Sequence, residues 1–321
     1  WVAISYTDRS YAPVSLDLVL RHELTHRLDD AIGCDDAPAM LREGLAVTVA
    51  GGHYRPESSR TKAAALLSTT HYVPLSELVD GFYTHQHEVG YLEAAAVVSY
   101  LLDRWGWSEL PELCAAASDG GGGDVERWAA LLDALGFETA TDFERGWQRW
   151  LQASQVDADA PRLIELELQL MDLMRAYQAG YDQGAHFLDG ILFSPQEAAQ
   201  RGIVADFVRR PRDAEAVTFE LLLALGQEAL AKEDTVMLEM LLTDLRVALR
   251  EGVDQAPYAS EIRALTERML SQAWEPYRLV VESDDHLLFY VINRKDWPQQ
   301  STLTARRDGE VWDLKGGIWR D

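Results

Sequence analysis

The chain of 321 residues has little cysteine, little positive charge and no long apolar run. Cys34 and Cys114 are its only cysteines, too few for a disulfide framework or a zinc knuckle; they are either one disulfide or two buried thiols. Lys and Arg number 29 against 53 Asp and Glu, a formal charge of −24. A surface that acidic repels phosphate backbones and anionic lipid, which argues against nucleic acid and membrane surfaces as partners. No apolar stretch approaches the roughly 18 residues of a membrane-spanning helix, so no transmembrane segment is expected. No internal repeat is evident, and Gly120 to Gly123 is the sole low-complexity stretch. The chain starts at Trp1 with no charged-then-apolar leader. The expectation is a sequence that begins inside a longer precursor, with any export signal upstream.

What is present reads as globular. Apolar residues make up 47% and charged residues 26%, enough for a packed core, and the length suits about two domains. Residues 1–6 (WVAISY) have the composition of a short strand. Leu16, Leu20, Leu24 and Leu28 form an i, i+4 row that marks a helix, with Ser15 in N-cap position. A second helix starts near Pro38 and runs to Gly51-Gly52. Residues 53–87 read as loop and short helix, and a long helix runs from Glu88 to Gly106. Shorter helices follow to about Ser118 and from Asp124 to Gly136. The Thr141/Glu144 pair, at capping-box spacing, opens another. The polar, patternless QVDADAP at 155–161 marks a boundary. Beyond it helices are predicted over 162–179, 195–209, 213–231, 234–250 and 257–274, then four strands, YRLVVES, HLLFYVINR, STLTARR and VWDLKGG, with meander turn spacing. The fold class is therefore α+β and mostly helical. The predicted domains are 1–155, a helical connector at 156–212, and an α+β accessory domain at 213–321.

The chemistry concentrates in His22-Glu23-Leu24-Thr25-His26. On a helix, positions i and i+4 share a face, so both imidazoles can point at one ion. Zinc accepts neutral imidazole nitrogen, and a catalytic site uses three protein ligands plus an open position for water. Glu23, next to the first ligand, is placed to take a proton from that water. A third histidine six residues after His26 is excluded, because Ile32 stands there. Glu43, seventeen residues after His26, lies on the next predicted helix within Leu41-Arg42-Glu43-Gly44-Leu45-Ala46. Two antiparallel helices joined by a short loop would bring it against both histidines and complete a His2Glu set. His85 and His87 read as exposed loop histidines, with lining of the cleft as the alternative; His53 has no partner at ligand spacing; and Asp29, Asp30, Asp35 and Asp36 read as a solvated acidic turn, with a hydrogen bond to a metal ligand as the alternative.

HELTH followed by LREGLA resembles the gluzincin clan of zinc metallopeptidases, in its aminopeptidase-N-like and bacterial peptidase-MA-like branches. Those carry HExxH and then WLxEGxA on a second helix; Met40 stands here where many members have the Trp. Tyr91, with Tyr100 nine and Gly106 fifteen residues on, is similar to the aminopeptidase helix that begins Tyr-Glu-Lys-Gly, although Glu93-Ala94 replaces Lys-Gly. The resemblance covers roughly residues 1–155. It implies a zincin-type domain whose N-terminal sheet is truncated, WVAISY being its last strand. It also implies Zn2+ held by His22, His26 and Glu43, Glu23 as general base, and Tyr91 as hydrogen-bond donor to the oxyanion. The partner implied is a peptide or protein substrate, cleaved as an exopeptidase or as an endopeptidase, and the setting implied is extracytoplasmic. Residues 213–321 are weakly similar to NTF2-like domains, in which helices pack into the concavity of a bent antiparallel sheet. Two rival functions stand beside peptide hydrolysis: a catalytically silent peptidase-like binding or scaffold protein, and a zinc hydrolase of non-peptide amides or esters.

Overall fold

The computed structural model describes residues 9–12, 14–182, 213–293, 299–308 and 311–317. The strand expected at WVAISY and the helix expected at 195–209 lie outside the described residues. The rest is mostly helical with one small antiparallel sheet, an α+β chain. It divides into two compact units, one of residues 1–6 and 14–165 and the other of residues 7–13 and 166–321.

The first unit holds α1 (Leu16–Ile32), α2 (Ala39–Ala50), α3 (Ser59–Leu66), α4 (Leu75–Asp80), α5 (His87–Trp105), α6 (Leu110–Asp119), α7 (Asp124–Ala134), α8 (Ala140–Gln152) and the start of α9 (Ala160–Tyr181). Its centre is α5, whose run Ala94–Val98 is fully buried together with Met40, Leu41, Leu45 and Ala46 of α2. Gly44 lets these two helices meet: a Cβ there would fall on the Ala94 carbonyl and come within 2.9 Å of Val98 Cγ2. Phe143 and Trp147 of α8 and Trp128 of α7 close the core from another side.

The leucine row marks α1 as expected but does not face the core: Leu16, Leu20, Leu24 and Leu28 are 48%, 38%, 45% and 58% exposed. At roughly 100° per residue they lie about 120–160° around the helix from His22. The residues it buries are Leu18, Val19, His22, Thr25 and Asp29, so polar groups make up much of its covered side. The capping box at Thr141 is also displaced. Thr139 is the N-cap of α8, accepting from Asp142 N at 3.1 Å, and Glu144 instead accepts from Leu75 N and from the Tyr72 hydroxyl. Thr139 wins because its extended backbone suits a cap, whereas Thr141 already lies inside the helix.

The second unit holds most of α9, α10 (Ala214–Ala231), α11 (Thr235–Glu251), α12 (Pro257–Ser271) and strands β1 (Trp274–Ser283), β2 (His286–Asn293), β3 (Gln299–Asp308) and β4 (Val311–Gly317). The strands form a simple meander in the order β1-β2-β3-β4, each pair antiparallel. Leu279 pairs with Phe289 and Phe289 with Leu303, and all three are buried, as period-2 alternation requires of a sheet with one covered face. Helices α10 and α12 pack on β1. Residues 9–12 join this unit through a buried polar knot: Arg9 pairs with Asp182 at 2.7 Å, and the Tyr11 hydroxyl donates to the same carboxylate at 2.8 Å.

Candidate metal centre

The loop between α1 and α2 is fixed at several points. Gly33 ends α1 in the left-handed region at φ 76°, a conformation that costs glycine nothing. Cys34 N–H donates to the Asp29 carbonyl at 2.9 Å, and Cys34 is disulfide-bonded to Cys114 on α6, with Cα atoms 4.8 Å apart. That decides the cysteine alternatives in favour of one disulfide. On the other side of the loop, Asp124 from α7 accepts the Ala39 N–H at 3.0 Å, satisfying one of the unpaired donors at the start of α2. With both helix ends held, α2 lays Glu43 against the buried face of α1.

Three ligand-type atoms converge there. His22 Nε2 and His26 Nε2 are 3.1 Å apart, and Glu43 Oε2 lies 3.2 Å from the first and 3.4 Å from the second. This is a group that could hold a metal ion. Beyond it, Asp29 Oδ2 accepts from His26 Nδ1 at 3.1 Å, which turns Nε2 of that ring inward. On the carboxylate, the Tyr83 hydroxyl donates to Glu43 Oε1 at 2.8 Å. Glu23, next to His22 in the chain, is half-buried and makes no hydrogen bond or ion pair among the described residues, so its carboxylate is available.

Tyr91 stands over the same group. Its ring centroid is 6.2 Å from that of His22, and it stacks on His53 at 4.1 Å with the planes 5° apart. His87 lies 4.4 Å from the Tyr91 ring and is hydrogen-bonded to the Tyr54 hydroxyl at 3.0 Å. Gln86 caps α5 by accepting from Val89 N at 2.9 Å, which fixes the helix turn that carries Tyr91.

The charges are set by this packing. Burial pushes the Glu43 carboxyl up, and the hydrogen bonds from His22 and His26 together outweigh it and hold the group below the usual carboxylate range. The hydrogen bonds to Asp29 and Glu43 push His26 up to about 10 against the effect of burial. Burial, and then the charge of Glu43, raise the Tyr91 hydroxyl, so it stays a proton donor at neutral pH. Tyr83 is raised for the same two reasons.

His22, His26, Glu43 and Tyr91, all singled out from sequence, are thus brought together; Glu23 follows His22 on the same helix. Three features differ from the expectation. Asp29 is not part of a solvated turn: it is 3% exposed and holds His26. Its place three residues after His26, on the same helix face, was the available signal. His87, expected as an exposed loop histidine, is half-buried at the start of α5 against Tyr91, and His53, in the bend after α2, stacks on the same ring. Tyr83, on the one-turn 3-10 helix Phe82–Thr84, has no sequence signal at all. No family model, no curated protein and no solved structure matches the chain.

Proposed function

We propose that the chain is a zinc-dependent peptidase whose first unit is a zincin-type domain. The supporting observation is the triangle of His22 Nε2, His26 Nε2 and Glu43 Oε2, with edges of 3.1, 3.2 and 3.4 Å. Ligands at about 2.0–2.1 Å around a tetrahedral zinc are separated by roughly 3.3 Å. The donor set also suits the ion, with two imidazoles and one carboxylate leaving a fourth position for solvent. Hydrogen bonding alone is a poorer account, since both rings turn a nitrogen toward the same carboxylate oxygen and toward each other.

A zinc ion held by His22, His26 and Glu43 would lower the pKa of a coordinated water and polarise the scissile carbonyl. Glu23, with its carboxylate free, takes the proton of the attacking water and passes it to the nitrogen of the leaving amine. Tyr91 donates its hydroxyl to the carbonyl oxygen as negative charge builds on it, an interaction that can supply a few kcal/mol. Asp29 keeps His26 in the tautomer that presents Nε2. The Cys34–Cys114 disulfide supports an extracytoplasmic setting, where such bonds persist. The second unit, with α10 and α12 on one side of a four-stranded meander, supports the NTF2-like reading of residues 213–321 and an accessory role.

The test is elemental analysis of the purified full chain together with hydrolysis of a mixed peptide library, for wild type and for Glu23→Gln. One zinc per chain in both proteins, with cleavage only by wild type, is the expected result. A metal-free wild type refutes the metal centre. Wild-type cleavage by Glu23→Gln refutes the base. Zinc with no peptide cleavage but turnover of esters or small amides moves the protein to the non-peptide hydrolases.

A further inference from the structure

Tyr83 combines two properties that ordinarily exclude each other. Its side chain is 64% exposed, yet its hydroxyl reaches a carboxylate that is 8% exposed, donating to Glu43 Oε1 at 2.8 Å. The two oxygens of Glu43 are therefore divided: Oε2 faces both imidazoles, and Oε1 accepts from the Tyr83 phenol; the Tyr91 hydroxyl also hydrogen-bonds this carboxylate. The backbone beneath Tyr83 is anchored. Phe82, 5% exposed, packs edge-on to Tyr83 at 5.0 Å and against Tyr91 at 5.1 Å. The Thr84 N–H closes the turn on the Gly81 carbonyl at 2.8 Å. Arg42 also lies beside the Tyr83 hydroxyl. A guanidinium has no lone pair to accept with, so the single phenol proton is directed to Glu43.

Resting on the zinc reading above, we infer that Tyr83 is a positioning residue. By occupying Oε1 it makes Glu43 a one-oxygen ligand and keeps the coordination number low enough to leave a place for water. A carboxylate without such a partner is free to offer both oxygens to the ion, as carboxylates do in more flexible sites. Outer hydrogen bonds of this kind orient metal ligands, and their loss typically weakens metal binding roughly 10- to 100-fold. Asp29 performs the equivalent service for His26, but from the buried side; Tyr83 does it from solvent.

Tyr83→Phe removes only the hydroxyl, at an exposed position, and leaves the Phe82 anchor untouched. The full chain is stripped of metal and titrated with zinc against a competing chelator, and then loaded with cobalt(II), whose visible spectrum reports coordination number. The expected result has three parts: wild type binds one zinc, Tyr83→Phe binds it roughly 10- to 100-fold more weakly, and the variant's cobalt bands lose intensity as a second carboxylate oxygen enters. Melting of the metal-free proteins should be the same. If wild type binds one zinc and Tyr83→Phe matches it in affinity and in cobalt spectrum, the positioning role is overturned and the metal centre stands. If wild type binds no zinc, both fall.

Discussion

Glu93 offers a prediction that does not depend on any metal. It is 0% exposed on α5. Its Oε1 accepts the Val73 N–H at 3.0 Å, and its Oε2 has no partner among the described residues. Burial drives its pKa well above the usual carboxylate range; the Val73 hydrogen bond opposes that shift, and the charge of Glu144 adds to it. The group thus holds its proton in the folded chain at pH values where the unfolded chain has lost it. Its stabilising contribution is complete below the unfolded value of 4.5 and is lost as pH rises toward the folded value. Within that window one proton separates the two states, so stability falls by about 1.4 kcal/mol per pH unit. Glu93→Gln keeps the shape and the acceptor for Val73 but cannot ionise. Urea unfolding of both proteins, in chelator, at half-unit steps from pH 4.5 upward gives the difference directly, and all groups common to the two cancel. The variant should gain on wild type by about 1.4 kcal/mol for each unit of rising pH until the folded value is reached. A difference that stays flat with pH would refute the reasoning, because Glu93 would then be ionised or unperturbed in the folded state.

Other outcomes follow from the packing around the site. Asp29→Asn should weaken zinc binding roughly 10- to 100-fold, read by chelator competition, and should lower the metal-free stability near neutral pH, because the hydrogen bond to Asp29 is the largest cause of the raised His26 pKa. Gly44→Ala drives a methyl into the Ala94 carbonyl and should cost about 1–3 kcal/mol in urea unfolding; zinc affinity should drop with it, since Glu43 is the adjacent residue. Replacing Cys34 and Cys114 by serine releases a loop of sequence separation 80. Chain entropy puts that loss at about 4.5 kcal/mol, to be measured as a lowered urea midpoint.

Local patterns carried most of the first-unit helices, because their ends are written in residues that act through the backbone. Gly106 and Gly136 take positive φ at or just beyond helix ends, and both were legible. The meander was legible for the same reason, as turn spacing and alternation fixed all four strands to within a few residues. The group of His22, His26 and Glu43 was readable because HExxH and the following Glu43 encode a face and a spacing. What was not readable is which face a helix buries when its neighbours are unknown. The leucine row of α1 is the more apolar side, yet α2 packs on the side bearing His22 and Asp29, where polar groups satisfy one another. Tyr83 is a different case. It reaches Glu43 only because Glu93 and Glu144 pin residues 73–75, α4 starts there, and the 3-10 turn follows; no single segment contains that information.

The bridge between Cys34 and Cys114 encloses Glu43, Tyr83 and Tyr91 in one covalent ring, while His22 and His26 sit on the strand of chain just before it. A backbone cut anywhere between the two sulfurs therefore yields fragments that stay bonded. The Arg55–Ser58 stretch carries exposed residues suited to such a cut. Nicked protein would run as a single band until thiol is added, and it would keep its zinc-ligand side chains on one molecule. For a protein exposed to proteases, that is a form of damage tolerance.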